Sequence, residues 1–341
     1  PLSPSGVGTQ TKYMIEALLK TNRYSFVCLG GAMQHTDYTP VNVEPYGQDW
    51  TIYPVDGYGN HEIIRSILQK EKPDLVWFMT DPRFYEWLWE IENEVRANVP
   101  MVYYHVWDNF PAPHFNAKWY RSNDHVACIS KVTHEIVKQV APQVDSSYLP
   151  HAVNASIFRP SHTADEKAEA AKIRENILEA SQEKNPNPKK KIFFWNSRNA
   201  RRKQSGTLVW WFKEFLDEVG HDKAVLLMHT DPRDPHGQDL PHIIEHLGIA
   251  DGQILISSNK VAPEGLAAMY RAADFTIGIS DAEGFGLSTL ESLSCGTPII
   301  VNMTGGLQEQ VTDGKNWFGW GIQPCSKAII GSLQAPYIYE D

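Results

Sequence analysis

The sequence has few cysteines and no long apolar run. Cys28, Cys128, Cys295 and Cys325 are far apart, without a CxxC motif or a Cys/His pair at metal-ligand spacing. At least three of them lie in apolar or helical surroundings, which predicts small core residues in a reducing compartment. No apolar run approaches the roughly 18 residues that cross a membrane, and no signal peptide is recognisable. We therefore expect a cytoplasmic chain without a transmembrane segment.

Positive charge is also scarce. The chain has 31 Lys and Arg residues against 41 Asp and Glu residues, a formal net charge of −10. General binding to nucleic acids depends on neutralising phosphates with Lys and Arg, so this balance argues against a nucleic-acid partner. It does not exclude an anionic small ligand held by a local basic cluster.

What the chain does have is the composition of a globular protein, with 42% hydrophobic and 21% charged residues over a length of 341 that suits two domains. Strand and helix patterns alternate in both halves, which predicts parallel sheets covered on both faces. Strands are predicted at 24–29, 74–79, 100–105, 125–129, 147–149, 192–195, 224–228, 254–256, 275–279 and 298–301. Helices are predicted at 10–20, 61–70, 83–96, 132–140, 164–184, 206–219, 240–247, 263–272 and 287–295.

The segment 154–162, punctuated by Pro150 and Pro160, is typical of a linker. The predicted domains are therefore 1–155 and 156–341. Two doubly wound α/β domains place a ligand cleft between them, at the carboxyl ends of both sheets. No strand precedes the first helix, and the chain ends without a closing element, so we expect a fragment that lacks its first strand and its C-terminal end.

The segment 281–302 is the most informative. A strand pattern leads into Gly284 and Gly286, a helical pattern begins at Leu287, and Gly296 and Pro298 end it before the next strand. The unpaired N–H groups at the start of such a helix form an anion site.

Two glutamates flank this helix start. Glu291 follows Leu287 by four residues, about 6 Å along the axis at ~1.5 Å per residue, and could bind the next polar group of a phosphate ligand, such as a ribose hydroxyl. Glu283 would face the other end of the ligand. The alternative is a solvated loop residue at Glu283 and an exposed helix residue at Glu291.

Three further groups follow predicted strand ends or open a helix. The cations of 198–203 suit a diphosphate, or form a solvated basic loop. His105 and the aromatic residues near it suit a sugar hydroxyl, or His105 is structural. Gly6 and Gly8 form a partial dinucleotide fingerprint that lacks the third glycine. Gly6 would let the backbone approach a phosphate closely, or the two glycines form a simple turn.

Together these segments resemble the donor-site signature of retaining GT-B glycosyltransferases of family 4, the Glu-x7-Glu type of the glycosyl transferases group 1. The fold expected from this resemblance is α/β, with two Rossmann-like doubly wound parallel-sheet domains facing a central cleft. The matching segments follow the family order along nearly the whole chain: Ser5-Gly6-Val7-Gly8; Ile129-Ser130; Leu149-Pro150-His151-Ala152-Val153-Asn154; Phe158-Arg159-Pro160; Arg198 and Lys203; Glu283-Gly284-Phe285-Gly286-Leu287 with Glu291; Gly296-Thr297-Pro298; and Gly305-Gly306 with Glu309.

The resemblance implies a role for each position. Glu291 would bind the donor ribose, Glu283 would contact the transferred sugar, and His105 would lie near the reacting carbon. The remaining implied contacts are the grip of Arg198 and Lys203 on the diphosphate, the donor contacts of Gly6, Gly8, Phe285, Gly286 and Leu287, and the acceptor-side loop with Asp108, Asn109 and His114. Gln204 stands where the family usually has Gly, and His151-Ala152 replaces a more usual Asn-Gly.

The implied function is transfer of a hexosyl group from a nucleoside-diphosphate sugar, a UDP- or GDP-sugar, to an acceptor hydroxyl with retention. The acceptor, whether a glycan, a lipid or a protein, is not named by the sequence. No Asp-x-Asp occurs, which agrees with a metal-independent site, and no cofactor is expected. The alternatives are a GT-B-like nucleotide-sugar epimerase and a catalytically silent sugar-nucleotide binding module. A nicotinamide dehydrogenase fits least, because the strand at 24–29 ends without the acidic residue that would bind a ribose.

Overall fold

The computed structural model divides the chain into two compact units. Unit 1 comprises Pro1–His151 with Gly331–Ile338, and unit 2 comprises Ala152–Ile330 with Tyr339–Asp341. The structure describes residues 2–3, 5–31, 34–107, 112–181, 187, 189–333 and 335–340. Within those residues no helix is both long and apolar enough to span a bilayer. The domain limits 1–155 and 156–341 remain a prediction.

Unit 1 contains two sheets. Its elements are α1 (Gly6–Leu19), β1 (Phe26–Gly30), β2 (Val41–Val43), β3 (Gly47–Pro54), α2 (His61–Glu71), β4 (Val76–Thr80), α3 (Glu86–Trp89), α4 (Glu92–Arg96), β5 (Met101–His105), α5 (Ala117–Arg121), β6 (His125–Cys128), α6 (Lys131–Val140) and β7 (Ser146–Tyr148). One sheet has the order β1-β3-β2, with β2 antiparallel to β3, and the other has the all-parallel order β4-β5-β6-β7. In the second sheet Thr80, His105 and Cys128 lie in register at the carboxyl ends of β4, β5 and β6.

Unit 2 contains one six-stranded parallel sheet. Its elements are α7 (Ala164–Ala180), β8 (Lys191–Asn196), α8 (Ser205–Val219), β9 (Ala224–His229), α9 (Leu240–His246), β10 (Ile254–Ser257), α10 (Pro263–Ala272), β11 (Phe275–Gly278), α11 (Leu287–Ser294), β12 (Ile299–Asn302), α12 (Leu307–Val311), β13 (Gly319–Ile322) and β14 (Ala328–Ile330); β15 is Ile338–Glu340. The strand order is β10-β9-β8-β11-β12-β13.

The strand order of unit 2 reverses between β8 and β11. The chain runs outward from β8 through β9 to β10, returns to pair β11 with the other side of β8, and then runs outward again to β13. The loops that follow β8 and β11 therefore leave the sheet in opposite directions, which opens a crevice at the carboxyl ends of these two strands. Open α/β sheets bind ligands at this switch point.

The unit 2 strands are buried because helices cover both faces of the sheet. Phe194 and Trp195 of β8 are fully or almost fully buried, and Val225 and Leu226 of β9 are fully buried. One face packs against α8 and α9, and the other packs against α7 and α10. Apolar burial on both faces accounts for the continuous hydrophobic runs that predicted these strands.

Helix α1 begins earlier than predicted. Ser5 has extended backbone dihedrals (φ −139°, ψ 162°), and its Oγ accepts a hydrogen bond of 3.1 Å from the N–H of Gly8. This N-cap starts the helix at Gly6 instead of at residue 10. The predicted helix start at residue 10 is therefore wrong, and Gly6 and Gly8 lie in the first helical turn instead of in a loop before the helix.

The single helix predicted over 83–96 is also wrong. The chain forms a 3₁₀ turn at Pro82–Phe84 and the two short helices α3 and α4, because Tyr85 and Ile91 leave helical geometry. The hydroxyl of Tyr85 donates to the carbonyl of Met79, and its ring packs 4.7 Å from that of Phe78. These tertiary contacts of the aromatic side chains override a helical spacing that local propensity supports only weakly.

Several short elements were not predicted. Strands β2 and β3 lie in a region to which the sequence assigned no element, and α12 and β13 follow the last predicted strand. β2 is three residues long, and β13 includes Gly319 and Gly321, so neither shows a clear apolar period. β13 nevertheless pairs with β12 over four residues, from Ile299↔Gly319 to Asn302↔Ile322.

Candidate functional site

Helix α11 begins at a tightly held turn beside the switch point. Gly286 is its N-cap and adopts a left-handed conformation (φ 92°, ψ 74°). The side-chain amide of Gln310 on α12 donates to the carbonyls of Phe285 (2.6 Å) and Gly286 (3.0 Å). Thr289 Oγ1 donates to the same Gly286 carbonyl at 2.8 Å. With these carbonyls satisfied, the turn fixes where the N–H groups of α11 begin, as an anion site requires.

The glycine at 306 lies directly against this turn. Its N–H donates to the carbonyl of Glu283 at 2.9 Å. A Cβ at Gly306 would lie 2.6 Å from the carbonyl oxygen of Gly284, so only glycine allows this approach. The loop after β12 therefore supports the loop after β11, and both contribute to the geometry of the α11 start.

Lys203 and Glu283 form a direct ion pair within unit 2. The side chains are only 14% and 15% exposed, and Arg202 adds a second cation, with Nη1 3.6 Å from the carboxylate. Burial would raise the pKa of Glu283, but Lys203 and Arg202 together hold this pKa below its usual range. Glu283 is thus a carboxylate at neutral pH, an acceptor for hydroxyl groups as well as for lysine.

A second acidic residue, Asp281, anchors the end of the basic segment 198–203, and the sequence analysis did not single it out. The amide of Gln204 donates to both carboxylate oxygens of Asp281, at 2.9 and 2.8 Å, and Asp281 is buried. Gln204 itself has a left-handed backbone (φ 54°), a conformation that glycine adopts more readily. The residue that departs from the family pattern therefore keeps the turn and adds a polar link to the loop after β11. The sequence offered no signal for this link, because residues 204 and 281 are far apart along the chain.

Arg198 lies apart from this pair. Its guanidinium forms a bidentate ion pair with Asp234, at 2.6 and 3.0 Å, and also contacts Nδ1 of His236 at 2.8 Å. Hydrogen bonding from Arg198 lowers the pKa of Asp234 strongly. Arg198 is 60% exposed, whereas Lys203 is largely buried. The structure therefore brings Lys203, but not Arg198, to Glu283.

A small cavity of about 20 Å³ lies where these groups meet. Its lining includes Asn196 at the end of β8, Gly278 at the end of β11, and Lys203, Glu283 and Gly286. A larger groove of about 430 Å³, between α8 and α9, is lined mainly by apolar surface around Trp210 and Ile243. Only the smaller cavity combines a lysine, a carboxylate and a helix start at the switch point, so we take it as the candidate site.

Glu291 lies in the middle of α11 and is partly buried. The hydroxyl of Tyr270 donates a hydrogen bond of 2.8 Å to its Oε2. Burial raises the pKa of Glu291 to about 7, and the hydrogen bond from Tyr270 opposes that rise. Glu291 is therefore not the exposed helix residue of the alternative interpretation. With a pKa of about 7, its charge depends on pH near neutrality.

The predicted residues of unit 1 have different surroundings. Gly8 is buried and Gly6 is exposed in the first turn of α1. His105 is fully buried at the end of β5, with Nε2 3.0 Å from the hydroxyl of Tyr120, and burial lowers its pKa to about 3. Its imidazole is therefore neutral at physiological pH.

The acceptor-side predictions are only partly covered by the structure. His114 is exposed, and its backbone N–H donates to the hydroxyl of Tyr337 at 3.2 Å. Asp108 and Asn109 lie outside the described residues. The acceptor-side roles of all three residues remain predictions.

Known proteins resemble this chain both in sequence and in structure. Residues 176–331 match the family model for glycosyl transferases group 1. The alpha-monoglucosyldiacylglycerol synthase of Streptococcus pneumoniae is 28% identical over 215 residues, 62% of this chain and 45% of that protein. A D-inositol 3-phosphate glycosyltransferase of Paenarthrobacter aurescens is 42% identical over 77 residues, 23% of this chain and 18% of that protein. The chain spans less than half the length of these two curated relatives.

Two solved structures with a similar fold cover nearly the whole chain. Sucrose-phosphate synthase from Thermosynechococcus elongatus has a TM-score of 0.72 at 18% identity, covering 94% of this chain and 81% of that one. Anabaena HepE in complex with UDP and glucose has a TM-score of 0.67 at 15% identity, covering 96% and 84%. These similarities confirm the predicted α/β fold of the GT-B type, with Rossmann-like parallel-sheet domains. The family model and the relatives support the resemblance to glycosyl transferases group 1.

Proposed function

We propose that this protein is a group 1 glycosyltransferase that moves a hexosyl group from a nucleoside-diphosphate sugar to an acceptor hydroxyl, with retention and without a metal. One observation carries the proposal: Lys203, Glu283 and the start of α11 meet at the switch point of unit 2. This arrangement lies inside the segment that matches the group 1 family model.

The diphosphate would bind where α11 begins. The N–H groups and the dipole of the helix favour an anion there, and Lys203 adds a full positive charge. Negative charge grows on the diphosphate as the bond to the sugar breaks, so groups already in place stabilise the transition state most. Arg202, close to Glu283, would add a second cation. Arg198 would join them by exchanging Asp234 for a phosphate oxygen.

The two glutamates would bind the two ends of the donor. Glu283 is ionised and largely buried, which suits hydrogen bonds from the hydroxyls of the transferred sugar. Glu291, further along α11, would accept from the ribose hydroxyls. A UDP-sugar or a GDP-sugar is the proposed donor, and the Anabaena HepE structures with UDP and UDP-glucose support the former.

The roles of unit 1 remain part of the proposal. Gly6 and Gly8 are proposed at the diphosphate and His105 at the transferred sugar. Asp108, Asn109 and His114 are proposed at the acceptor, which is a glycan, lipid or protein hydroxyl. A neutral His105 could donate or accept one hydrogen bond without adding charge. The cytoplasmic location is likewise a proposal.

A thermal-shift panel of UDP-, GDP- and ADP-sugars tests the donor. A donor present at 100 times its dissociation constant adds ~2.7 kcal/mol of stability, so a binding sugar nucleotide should raise the melting temperature clearly. Product analysis then follows, with and without added acceptor alcohols and with EDTA. Transfer with an unchanged anomeric configuration and full activity in EDTA is the expected result.

Other outcomes would replace the proposal. Epimerised nucleotide sugar formed without an acceptor would indicate an epimerase, and donor binding without hydrolysis or transfer would indicate a silent binding module. If none of the sugar nucleotides binds, the proposal is wrong.

A further inference from the structure

The hydroxyl of Tyr270 connects the end of β8 to the middle of α11. It accepts a hydrogen bond of 2.8 Å from the side-chain amide of Asn196 and donates one of 2.8 Å to Oε2 of Glu291. Asn196 is the last residue of β8 and lines the small cavity. Glu291, which is proposed to bind the ribose, is thus linked through the hydroxyl of Tyr270 to β8, one of the two strands at the switch point.

The ring of Tyr270 is held on several sides. It is fully buried and packs edge-on against Phe194 of β8, with ring centroids 5.1 Å apart and planes at 74°. Its backbone carbonyl accepts a hydrogen bond of 2.7 Å from Thr297 Oγ1. A ring held in this way leaves its hydroxyl little freedom to turn away from Glu291.

The direction of the hydrogen bonds also follows from the chemistry of the groups. An amide N–H can only donate, so Asn196 occupies an acceptor position of the phenol. The single phenolic proton is then free for Glu291. An ionised carboxylate has no proton to donate, so it accepts this hydrogen bond. Tyr270 therefore binds one oxygen of Glu291 and leaves the other available to a ligand.

We propose that Tyr270 is a positioning residue of the donor site, whose hydroxyl orients the Glu291 carboxylate toward the ribose hydroxyls of the nucleotide. This inference rests on the proposed function, because it assigns Glu291 to the ribose. It adds a residue outside the Glu-x7-Glu segment, contributed by α10, that acts through Glu291 and does not itself touch the donor.

The electrostatics of the surrounding groups agree with this geometry. Glu291 faces Tyr270 on α10 and Cys295, the C-cap of α11, and Arg271 on α10 lies beside Cys295. Burial raises the pKa of Tyr270 well above its usual value and that of Cys295 to about 11, so both stay neutral near pH 7. Arg271 donates 2.8 Å hydrogen bonds to the carbonyls of Arg159 and Ile157. Burial raises the pKa of Glu291, and the hydrogen bond from Tyr270 lowers it, as expected for a phenol that donates to the carboxylate.

The experiment compares Tyr270→Phe with the wild type. Phenylalanine keeps the buried ring and removes only the hydroxyl. UDP, GDP and ADP are screened first by calorimetry, and the nucleotide that binds is then measured beside its 2′,3′-dideoxy form. We expect Tyr270→Phe to weaken the ribonucleotide about 5- to 10-fold at pH 7, the equivalent of about 1 to 1.4 kcal/mol. The dideoxynucleotide should change less than twofold, because it lacks the hydroxyls that Glu291 would bind.

A second readout does not depend on the nucleotide. Carbon-detected NMR of the glutamate carboxyls, with Glu291 assigned by Glu291→Gln, should show Glu291 titrating at a higher pH in Tyr270→Phe. Ser292→Ala is the matched control, since Ser292 is the next residue of α11 and its buried hydroxyl donates to the carbonyl of Thr297 at 2.9 Å and lies 2.8 Å from the hydroxyl of Thr276. This control should lose stability without moving the Glu291 titration or the ribose dependence of binding.

Three outcomes would overturn the inference. The first is an equal loss of affinity for the ribo- and dideoxynucleotides, which would indicate a purely structural role. The second is an unchanged Glu291 titration in folded Tyr270→Phe. The third is a wild type that binds none of the three nucleotides, which would also overturn the proposed function. Should Tyr270→Phe fail to fold, Asn196→Ala removes the other hydrogen bond of the phenol and should weaken the ribonucleotide selectively.

Discussion

Lys203 and Glu283 pair across 80 positions of the chain, in a region where both side chains are largely buried. The pair joins the 3₁₀ turn Arg201–Lys203, which follows β8, to the loop that follows β11. These loops leave the sheet in opposite directions, so the ion pair spans the crevice that the strand order creates. The same two groups hold the crevice together and are the proposed ligands of the donor.

Removing one partner of this pair should cost more than removing both. Lys203→Met leaves the Glu283 carboxylate with Arg202 at 3.6 Å, and breaking a buried pair in this way typically costs about 3 to 5 kcal/mol. The double variant Lys203→Met/Glu283→Leu removes both buried charges and leaves only the part-exposed Arg202 without this carboxylate, so it should recover much of that loss. Urea denaturation of the wild type, Lys203→Met, Glu283→Leu and the double variant gives the coupling free energy of the pair directly. Strictly additive effects would show that the pair does not act as a unit.

Acid should weaken the wild type partly through Glu283. A carboxylate whose folded-state pKa is lowered contributes stability above its unfolded pKa, and that contribution is lost as the pH falls through the folded pKa. The slope of stability against pH below about pH 4.5 should therefore be smaller in the double variant than in the wild type. Equal slopes would contradict this assignment.

Glu291 should act in the opposite direction. Its folded-state pKa is raised to about 7, so the folded protein binds a proton more tightly than the unfolded chain, and stability falls as the pH rises from about 4.5 to 7. Glu291→Gln keeps the acceptor for Tyr270 and should be more stable than the wild type at pH 8, on the order of 3 kcal/mol, but not at pH 4. Chemical denaturation at both pH values measures this. Nucleotide binding should weaken in the same variant, a cost in function for a gain in stability.

Ser292→Ala is the control for the comparison of Glu291→Gln with the wild type, because it removes no titratable group. It changes a buried hydroxyl in the same helix, so its loss of stability should be equal at pH 4 and pH 8. A pH-dependent difference in this control would show that the helix as a whole responds to pH, and not Glu291 alone.

Arg198 and Lys203 should both be needed for transfer. Removing one group that stabilises developing charge typically lowers the rate about 10²- to 10³-fold, so we expect losses of that size in Arg198→Ala and Lys203→Ala. Steady-state transfer assays measure this with the donor that the thermal-shift panel identifies. Arg65→Ala is the matched control, because Arg65 forms a similar exposed bidentate pair with Glu94 in unit 1. Unchanged rates in both test variants would contradict the diphosphate role of the basic segment.

Two glycines near the α11 start should tolerate no side chain. Gly286→Ala would hold alanine at φ 92° with a Cβ 2.6 Å from Leu307 Cδ2 and Thr289 Oγ1, and Gly306→Ala would meet the carbonyl of Gly284. Each should cost about 1 to 3 kcal/mol in urea denaturation. Gly265→Ala should instead be neutral or stabilising by up to about 1 kcal/mol. Gly265 lies inside α10, and a Cβ there would lie 3.8 Å from the Cβ of Val261. Equal costs at all three positions would contradict the geometric explanation.

The sequence by itself determined much of the second half of the fold. The apolar runs and turn residues of 275–301 predicted β11, α11 and β12 almost residue by residue, because an apolar run and a Gly or Pro stop are local signals. The same local logic predicted a helix start at Gly286, the proposed phosphate site, and a basic segment after β8. It failed where contacts from other parts of the chain decide the backbone, as at Tyr85 and Ile91, where packing broke a predicted helix.

Only the tertiary structure decided which of the candidate groups meet. The reversal of strand order between β8 and β11 brings Lys203 to Glu283, and the packing of α10 against α11 brings Tyr270 to Glu291. Arg198, in the same basic segment, binds Asp234 instead. Side-chain spacing along a chain encodes the period of a helix or strand, whereas pairing between distant segments depends on the order in which strands join a sheet. That order is a property of the whole unit, and it converts a list of polar residues into one candidate site.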